Sequence, residues 1–215
     1  MGEHHLSVPR SARYVTLGNE AAPVEIWFVL HGYGQLAARF LRGFAPLDDG
    51  TRLIVAPEGL SRFYLDSGGS AKIGASWMTR EDRLTEIADY VRYLDALYAA
   101  VGGATAQRVV VLGFSQGTAT AARWLALGAA RADRLILWGG EVPPDLDLDA
   151  ARARWSRTAV LLVAGTTDRF ITAKVLARDE ARLREHNVGY RVERFEGGHE
   201  VVREVLLRIT SHPDR

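Results

Sequence analysis

The chain has 215 residues, 47% of them hydrophobic, and its 27 Lys and Arg against 26 Asp and Glu leave a formal net charge of +1. That content fills one sizeable core, so a single domain over residues 1–215 is expected, and the balanced charge leaves no electrostatic footprint for nucleic acid. Cys is absent, which excludes disulfides, thiolate metal sites and cysteine nucleophiles.

Residues 1–12 are polar, carry no apolar signal core and read as a mobile N-terminal segment. No run approaches the roughly 18 apolar residues of a membrane span, so a cytoplasmic location is expected. Tyr14 to Leu17 alternates weakly and suits an edge strand. Val24 to Leu30 is a nearly continuous apolar strand ending at His31-Gly32-Tyr33-Gly34. A helix is expected from Leu36 to Phe44, and Arg52 to Ala56 is a short buried strand closed by Pro57. Ser61 to Thr79 lacks clear periodicity and reads as a long loop. Leu84, Ile87, Ala88, Val91, Leu94 and Tyr98 then recur at helical spacing, placing a helix over residues 81–101 that Gly102-Gly103 ends.

Arg108 to Leu112 is a β-branched run typical of a strand buried on both faces. Thr118 to Leu127 reads as a helix closed by Gly128. Further strands are expected at Arg134 to Trp138, at Ala159 to Ala164 and at Tyr190 to Phe195. Helices are expected over residues 172–186 and after His199, where Val201, Val202, Val205, Leu206 and Ile209 form an apolar face. Residues 143–157 are too short for a separate cap domain. This alternation predicts an α/β fold, with a mostly parallel twisted sheet and helices on both faces.

Between the Arg108 strand and its helix lies Gly113-Phe114-Ser115-Gln116-Gly117. A G-x-S-x-G in that context is the nucleophile elbow, a turn too tight for side chains at its ends that thrusts the serine out at the sheet edge. The N–H of Gln116 then faces any charge developing there. Asp168 and His199 follow two later strands, in the Ser, Asp, His order of a hydrolase triad. Taken singly, Asp168 reads first as a turn or helix-capping residue and His199 as a polar residue at a helix start, and it is their order after the elbow serine that favours the triad. Glu141 also follows a strand end and stays open as a rival acid. The turn at Gly32 supplies a second donor, the Tyr33 N–H, with His31 itself structural. His4, His5, His186 and His212 have no carboxylate cluster at metal-ligand spacing, so no metal is expected.

Together, Leu30-His31-Gly32-Tyr33-Gly34, Gly113-Phe114-Ser115-Gln116-Gly117, Asp168 and Gly198-His199-Glu200 resemble the carboxylesterase/phospholipase branch of the α/β-hydrolases, which includes the acyl-protein thioesterases. The resemblance implies an α/β-hydrolase fold and cofactor-free hydrolysis of carboxylic esters or thioesters. Thr118 stands where that branch often has another Gly, and Ala164-Gly165 where it often has His-Gly. The stretch from Arg62 through Thr79 matches the thioesterases poorly. Long aperiodic loops on the catalytic side are often binding loops, so Phe63, Tyr64, Leu65, Trp77 and Met78 are candidates for an apolar wall, faced by Tyr33, Phe170 and Ile171. Without a cap the cleft should be open and favour small-molecule esters of short to medium chain. A slowly turning-over ligand-binding protein, or a lactonase, peptidase or perhydrolase using the same triad, are the alternatives, and a homodimer stays open.

Overall fold

The computed structural model describes residues 2–66 and 72–211. Strands that read as unbroken apolar runs are covered on both faces. They are β2 (Glu25–Leu30), β3 (Arg52–Pro57), β6 (Arg108–Phe114), β7 (Arg134–Trp138) and β8 (Ala159–Gly165). With β1 (Tyr14–Gly18) and β9 (Tyr190–Phe195) they form a seven-stranded sheet in the order β1-β3-β2-β6-β7-β8-β9. Every pairing is parallel except that of the edge strand β1 with β3.

Alternate residues of each strand enter opposite cores, as the two-residue period of a strand dictates. Ile26, Phe28 and Leu30 of β2 join Val109 and Val111 of β6 on one face. There α2 (Arg83–Ala100), α3 (Gln116–Leu127), α4 (Leu148–Arg154) and α5 (Ala173–Glu185) cover them. Trp27 and Val29 join Val110 and Leu112 on the other face, beneath α1 (Ala37–Leu41) and α6 (Arg203–Ser211).

Three segments depart from the sequence expectation. The helix expected from Leu36 to Phe44 is α helical only to Leu41 and then tightens into a 3-10 turn over Arg42–Leu47. Gly43 and Pro46 explain this, one weakening a helix and the other lacking the N–H to continue it. Within the expected loop, β4 (Ser61–Tyr64) and β5 (Ile73–Ser76) pair as an antiparallel hairpin apart from the main sheet. Strands of four residues each are too short to register as a period. Residues 67–71 of that loop, and His212, lie outside the described residues. The connection after β7 carries α4, which Asp147 caps by accepting the Asp149 and Ala150 N–H groups at 3.0 Å. No separate cap domain is evident among the described residues. Glu3 to Ala12 form neither helix nor strand.

The functional end of the sheet is set by close backbone contacts. A Cβ on Gly117 would lie 2.2 Å from the Leu30 carbonyl oxygen, and one on Gly113 would lie 2.2 Å from that of Gly117. A Gly117→Ala variant should therefore lose about 1–3 kcal/mol, the cost of overpacking a site that cannot yield. The loss would be read as a lower urea midpoint. An unchanged midpoint would mean that β2 and α3 do not approach this closely.

Candidate active site

The chain leaves β2 toward β3 on one side of the sheet and later returns to place β6 on the other. The ends of β2 and β6 stay paired through Leu30 and Gly113, and the chain leaves them toward helices on opposite faces, α1 on one and α3 on the other. Such switch points are where open α/β sheets bind ligands. Ser115 stands there, between β6 and α3, at φ 55° and ψ −117°. A positive φ is costly for any residue with a side chain, on the order of 1–3 kcal/mol. The Ser115 N–H, donating to the Trp138 carbonyl at 2.9 Å, and the close-packed glycines on either side hold the turn in place.

The loops after β8 and β9 are joined by backbone hydrogen bonds, from Thr166 N–H to Phe195 O at 2.8 Å and from Thr167 N–H to Gly197 O at 2.9 Å. Trp138 on β7 anchors the second loop by donating its indole N–H to the Glu200 carbonyl at 2.9 Å. That brings Asp168 and His199 together although 31 residues separate them. His199 Nδ1 lies 2.8 Å from Asp168 Oδ2, and its Nε2 lies 2.9 Å from Ser115 Oγ. The other carboxylate oxygen accepts the Phe170 N–H at 2.8 Å and the Ile171 N–H at 3.0 Å. Burial pushes the Asp168 carboxyl up, but the bonds from His199, Ile171 and Phe170 outweigh it and hold the group below its ordinary value. The imidazole sits between the rings of Phe114 and Phe170, at 4.9 and 4.7 Å, and over Gly139. Glu141, the rival acid, is instead ion-paired to Arg178 at 2.9 Å.

On the other side of Ser115 runs the turn after β2. Gly32 packs so near that an added Cβ would lie 3.1 Å from the Ser115 Cβ. The Gly32 N–H donates to the Gln35 side chain at 2.8 Å and the Gly34 N–H to Ala75 O at 2.9 Å. The Tyr33 N–H lies between these two occupied donors. Gln116 opens α3, so its N–H belongs to the first turn, where no intrahelical acceptor exists.

Beside these turns is a cleft of about 450 Å³ lined by Tyr33, Met78, Gln116 and Arg123 with neighbouring residues. Of the expected wall, Met78 and Tyr33 line it. Phe63 packs on the Tyr33 ring at 5.1 Å, and Leu65 approaches Gly34. Phe170 is 56% exposed and lies against His199 instead. Two of the expected wall residues are corrected. Trp77 is only 2% exposed, stacks on His31 and donates its indole N–H to the His31 carbonyl at 2.8 Å, so it belongs to the core. Ile171 is likewise buried in the core cluster that α5 covers. Tyr64 is 69% exposed and stands outside the cleft lining.

Sequence reasoning missed Thr79, Arg80, Ala119, Thr120 and Arg123, which complete the lining. A signal for three of them was present. Gln116, Ala119, Thr120 and Arg123 fall on one face of α3 at three- and four-residue spacing, polar or small, while Ala121, Ala122, Trp124 and Leu125 enter the core. Arg123 is buried, with its guanidinium on Asp145 at 2.6 Å.

Residues 16–202 match the dienelactone hydrolase family. The chain belongs to that family. It is thus a member of a hydrolase family within the α/β-hydrolase superfamily, the superfamily to which its serine, acid and histidine motifs point. No curated protein sequence matches the chain. Among solved structures, esterase PE8 superposes with a TM-score of 0.70 at 21% identity, covering 94% of this chain and 97% of that one. Acyl-protein thioesterase 2 of Zea mays gives 0.73 at 17% identity, with the same coverages of 94% and 97%. The Bacillus cereus carboxylesterase gives 0.65 at 17%, covering 93% and 92%. At these identities the likeness is one of fold. Among the described residues no helix is long and apolar enough to cross a membrane. Glu3, His5 and Asp82 bring three potential ligand atoms together on the surface, an exposed group that spacing along the chain does not reveal.

Two residues of these motifs, one departing from the resemblance and one sharing it, have local explanations. Thr118, where the sequence resemblance expects glycine, is buried and donates its hydroxyl to Gly113 O at 3.0 Å, bracing the elbow. His31 is buried, its Nδ1 on the Gly32 carbonyl at 2.8 Å while its Nε2 accepts the Gly59 N–H at 2.9 Å. Those partners fit the neutral ring with the proton on Nδ1. Burial depresses its pKa below the ordinary 6.5, against smaller upward pulls from the Gly32 carbonyl and the Glu58 charge. The unfolded chain therefore takes up this proton first as pH falls. The stabilisation is complete above about pH 6.5 and is lost below it, toward the lowered folded value. The urea midpoint should fall on acidification through this range, and His31→Gln should flatten that part of the profile. Parallel profiles would show that His31 does not titrate differently on folding.

Proposed function

We propose that the protein is a serine hydrolase of carboxylic esters, thioesters included, of short to medium chain. The observation that carries this is the continuous hydrogen-bonded path from Asp168 through His199 to the strained Ser115. Ser115 Oγ attacks the substrate carbonyl carbon while its proton passes to His199 Nε2. The carbonyl oxygen takes the negative charge, which the Tyr33 and Gln116 N–H groups stabilise. The imidazolium, steadied by Asp168, returns the proton to the departing alcohol or thiol as the acyl–serine bond remains. Water then attacks the acyl-enzyme with His199 again as base, releasing the carboxylic acid and restoring Ser115.

The size of the cleft supports a short to medium acyl or alcohol group. Tyr33, backed by Phe63, and Met78 give it an apolar flank, and Phe170 covers the histidine side. Family membership and esterase-like neighbours support the reaction class. No cofactor enters this scheme. The same machinery serves a lactone, which is a cyclic ester, so lactonase activity belongs within the reading.

A panel of p-nitrophenyl and thioester substrates of graded acyl length tests this. Ser115→Ala and His199→Ala should each lose several orders of magnitude in kcat, with folding intact. Asp168→Asn should lose on the order of 10⁴-fold, because the wrong histidine tautomer is then favoured. Glu141→Gln should remain close to wild type. If Glu141→Gln were crippled while Asp168→Asn stayed active, the acid assignment would be overturned. Stronger activity on long acyl groups in micelles than on soluble short esters would overturn the chain-length reading.

A further inference from the structure

The serine mechanism leaves the Gln116 side chain without a part, yet it is the most heavily bonded amide near Ser115. Its Oε1 accepts the Trp77 N–H at 3.1 Å, and its Nε2 donates to Met78 O at 2.8 Å and to Ser76 Oγ at 3.0 Å. Ser76 Oγ lies 2.9 Å from Met78 O and 3.4 Å from Gln116 Oε1. The shorter distance takes the hydroxyl proton, so Ser76 donates to Met78 and accepts from Gln116. The amide thus meets a backbone N–H and a backbone C=O of adjoining residues, as a neighbouring strand would.

The segment it grips is itself tied to the other oxyanion turn. Gly34 N–H donates to Ala75 O at 2.9 Å and Ala75 N–H to Gln35 O at 3.2 Å. The Trp77 indole donates to His31 O at 2.8 Å. Residues 75–78 are therefore a strut, bonded at one end to the turn that carries the Tyr33 N–H and at the other to the side chain of the residue that carries the second N–H.

We propose that the Gln116 side chain is a positioning residue that fixes the separation of the two oxyanion donors through the segment 75–78. The proposal rests on the serine-hydrolase reading. No other common side chain of this length offers both a donor and an acceptor here. Glu cannot donate to Met78 O, Met does neither, and Asn is one methylene short. Because Met78 lines the cleft, the same amide also sets the position of one cleft wall.

The test compares Gln116→Met, Gln116→Glu and the milder Ser76→Ala with wild type in three measurements. Ester kinetics should show kcat lowered about 10–100-fold for the Gln116 variants with KM little changed, as a displaced donor implies. Affinity for a trifluoromethyl ketone, whose carbonyl oxygen becomes an oxyanion when Ser115 adds to it, should fall by the same factor as kcat/KM. The Trp77 amide should exchange hydrogen faster in Gln116→Met, which takes away the oxygen that accepts its N–H, a readout independent of activity. Ser76→Ala should shift all three the same way but less. A lower melting temperature with ketone affinity unchanged would overturn the proposal and leave Gln116 a purely structural residue. Unchanged Trp77 exchange in Gln116→Met would overturn the strut itself. A wild type inert toward every ester, with Trp77 exchange still faster in the variants, would instead overturn the hydrolase reading and leave the strut standing.

Discussion

The arrangement depends on how closely three backbones meet at the carboxyl edge of the sheet. At Gly113 and Gly117 a single methyl group would collide with a backbone carbonyl, and at Gly32 it would press tightly on Ser115. Their absence of side chains lets β2, β6 and α3 converge, and Ser115 takes a positive-φ conformation there that its own preferences disfavour. The rest of the protein supplies the energy that holds it there. Two apolar cores grip β2 and β6 from both faces, so the strained turn has no softer neighbour into which it can relax.

Given that fixed hydroxyl, the remaining chemistry is assembled from loops zipped to one another. Asp168 and His199 belong to different strand ends, but the backbone bonds between those loops, and the Trp138 indole on Glu200, leave the imidazole little freedom. Phe114, Phe170 and Gly139 shape the slot in which it stands. Both oxygens of Asp168 are occupied, one by imidazole and one by backbone N–H groups, which sets its orientation and favours its charge. On the opposite side, His31 is neutral scaffolding. Its two ring nitrogens tie the turn after β2 to the segment that follows β3 at Gly59.

Much of this was legible in the chain. Continuous apolar runs gave the parallel strands, and the elbow glycines with their strand-before, helix-after context gave the position of Ser115. Asp168 and His199 were recognisable because strand ends gather at one edge in such a fold. What resisted reading was the stretch from Ser61 to Thr79. Its strands are four residues long and its aromatic residues take opposite fates, Trp77 turning inward onto His31 and Tyr64 outward to solvent. Composition cannot distinguish those fates, since both residues are amphipathic and the outcome depends on which carbonyl is within reach. The polar stripe on α3, ending at Arg123, was visible as a spacing but had no meaning until the hairpin supplied the cleft's other wall.

The central claim is that the Ser115 hydroxyl is made nucleophilic by the histidine beside it. Fluorophosphonate labelling followed by intact mass and peptide mapping tests this most directly, because it reports the reacting atom without assuming a natural substrate. The account predicts one adduct per chain, located on Ser115, formed rapidly in wild type and orders of magnitude more slowly in His199→Ala. An adduct on any other residue, or equal labelling rates with and without the imidazole, would contradict it.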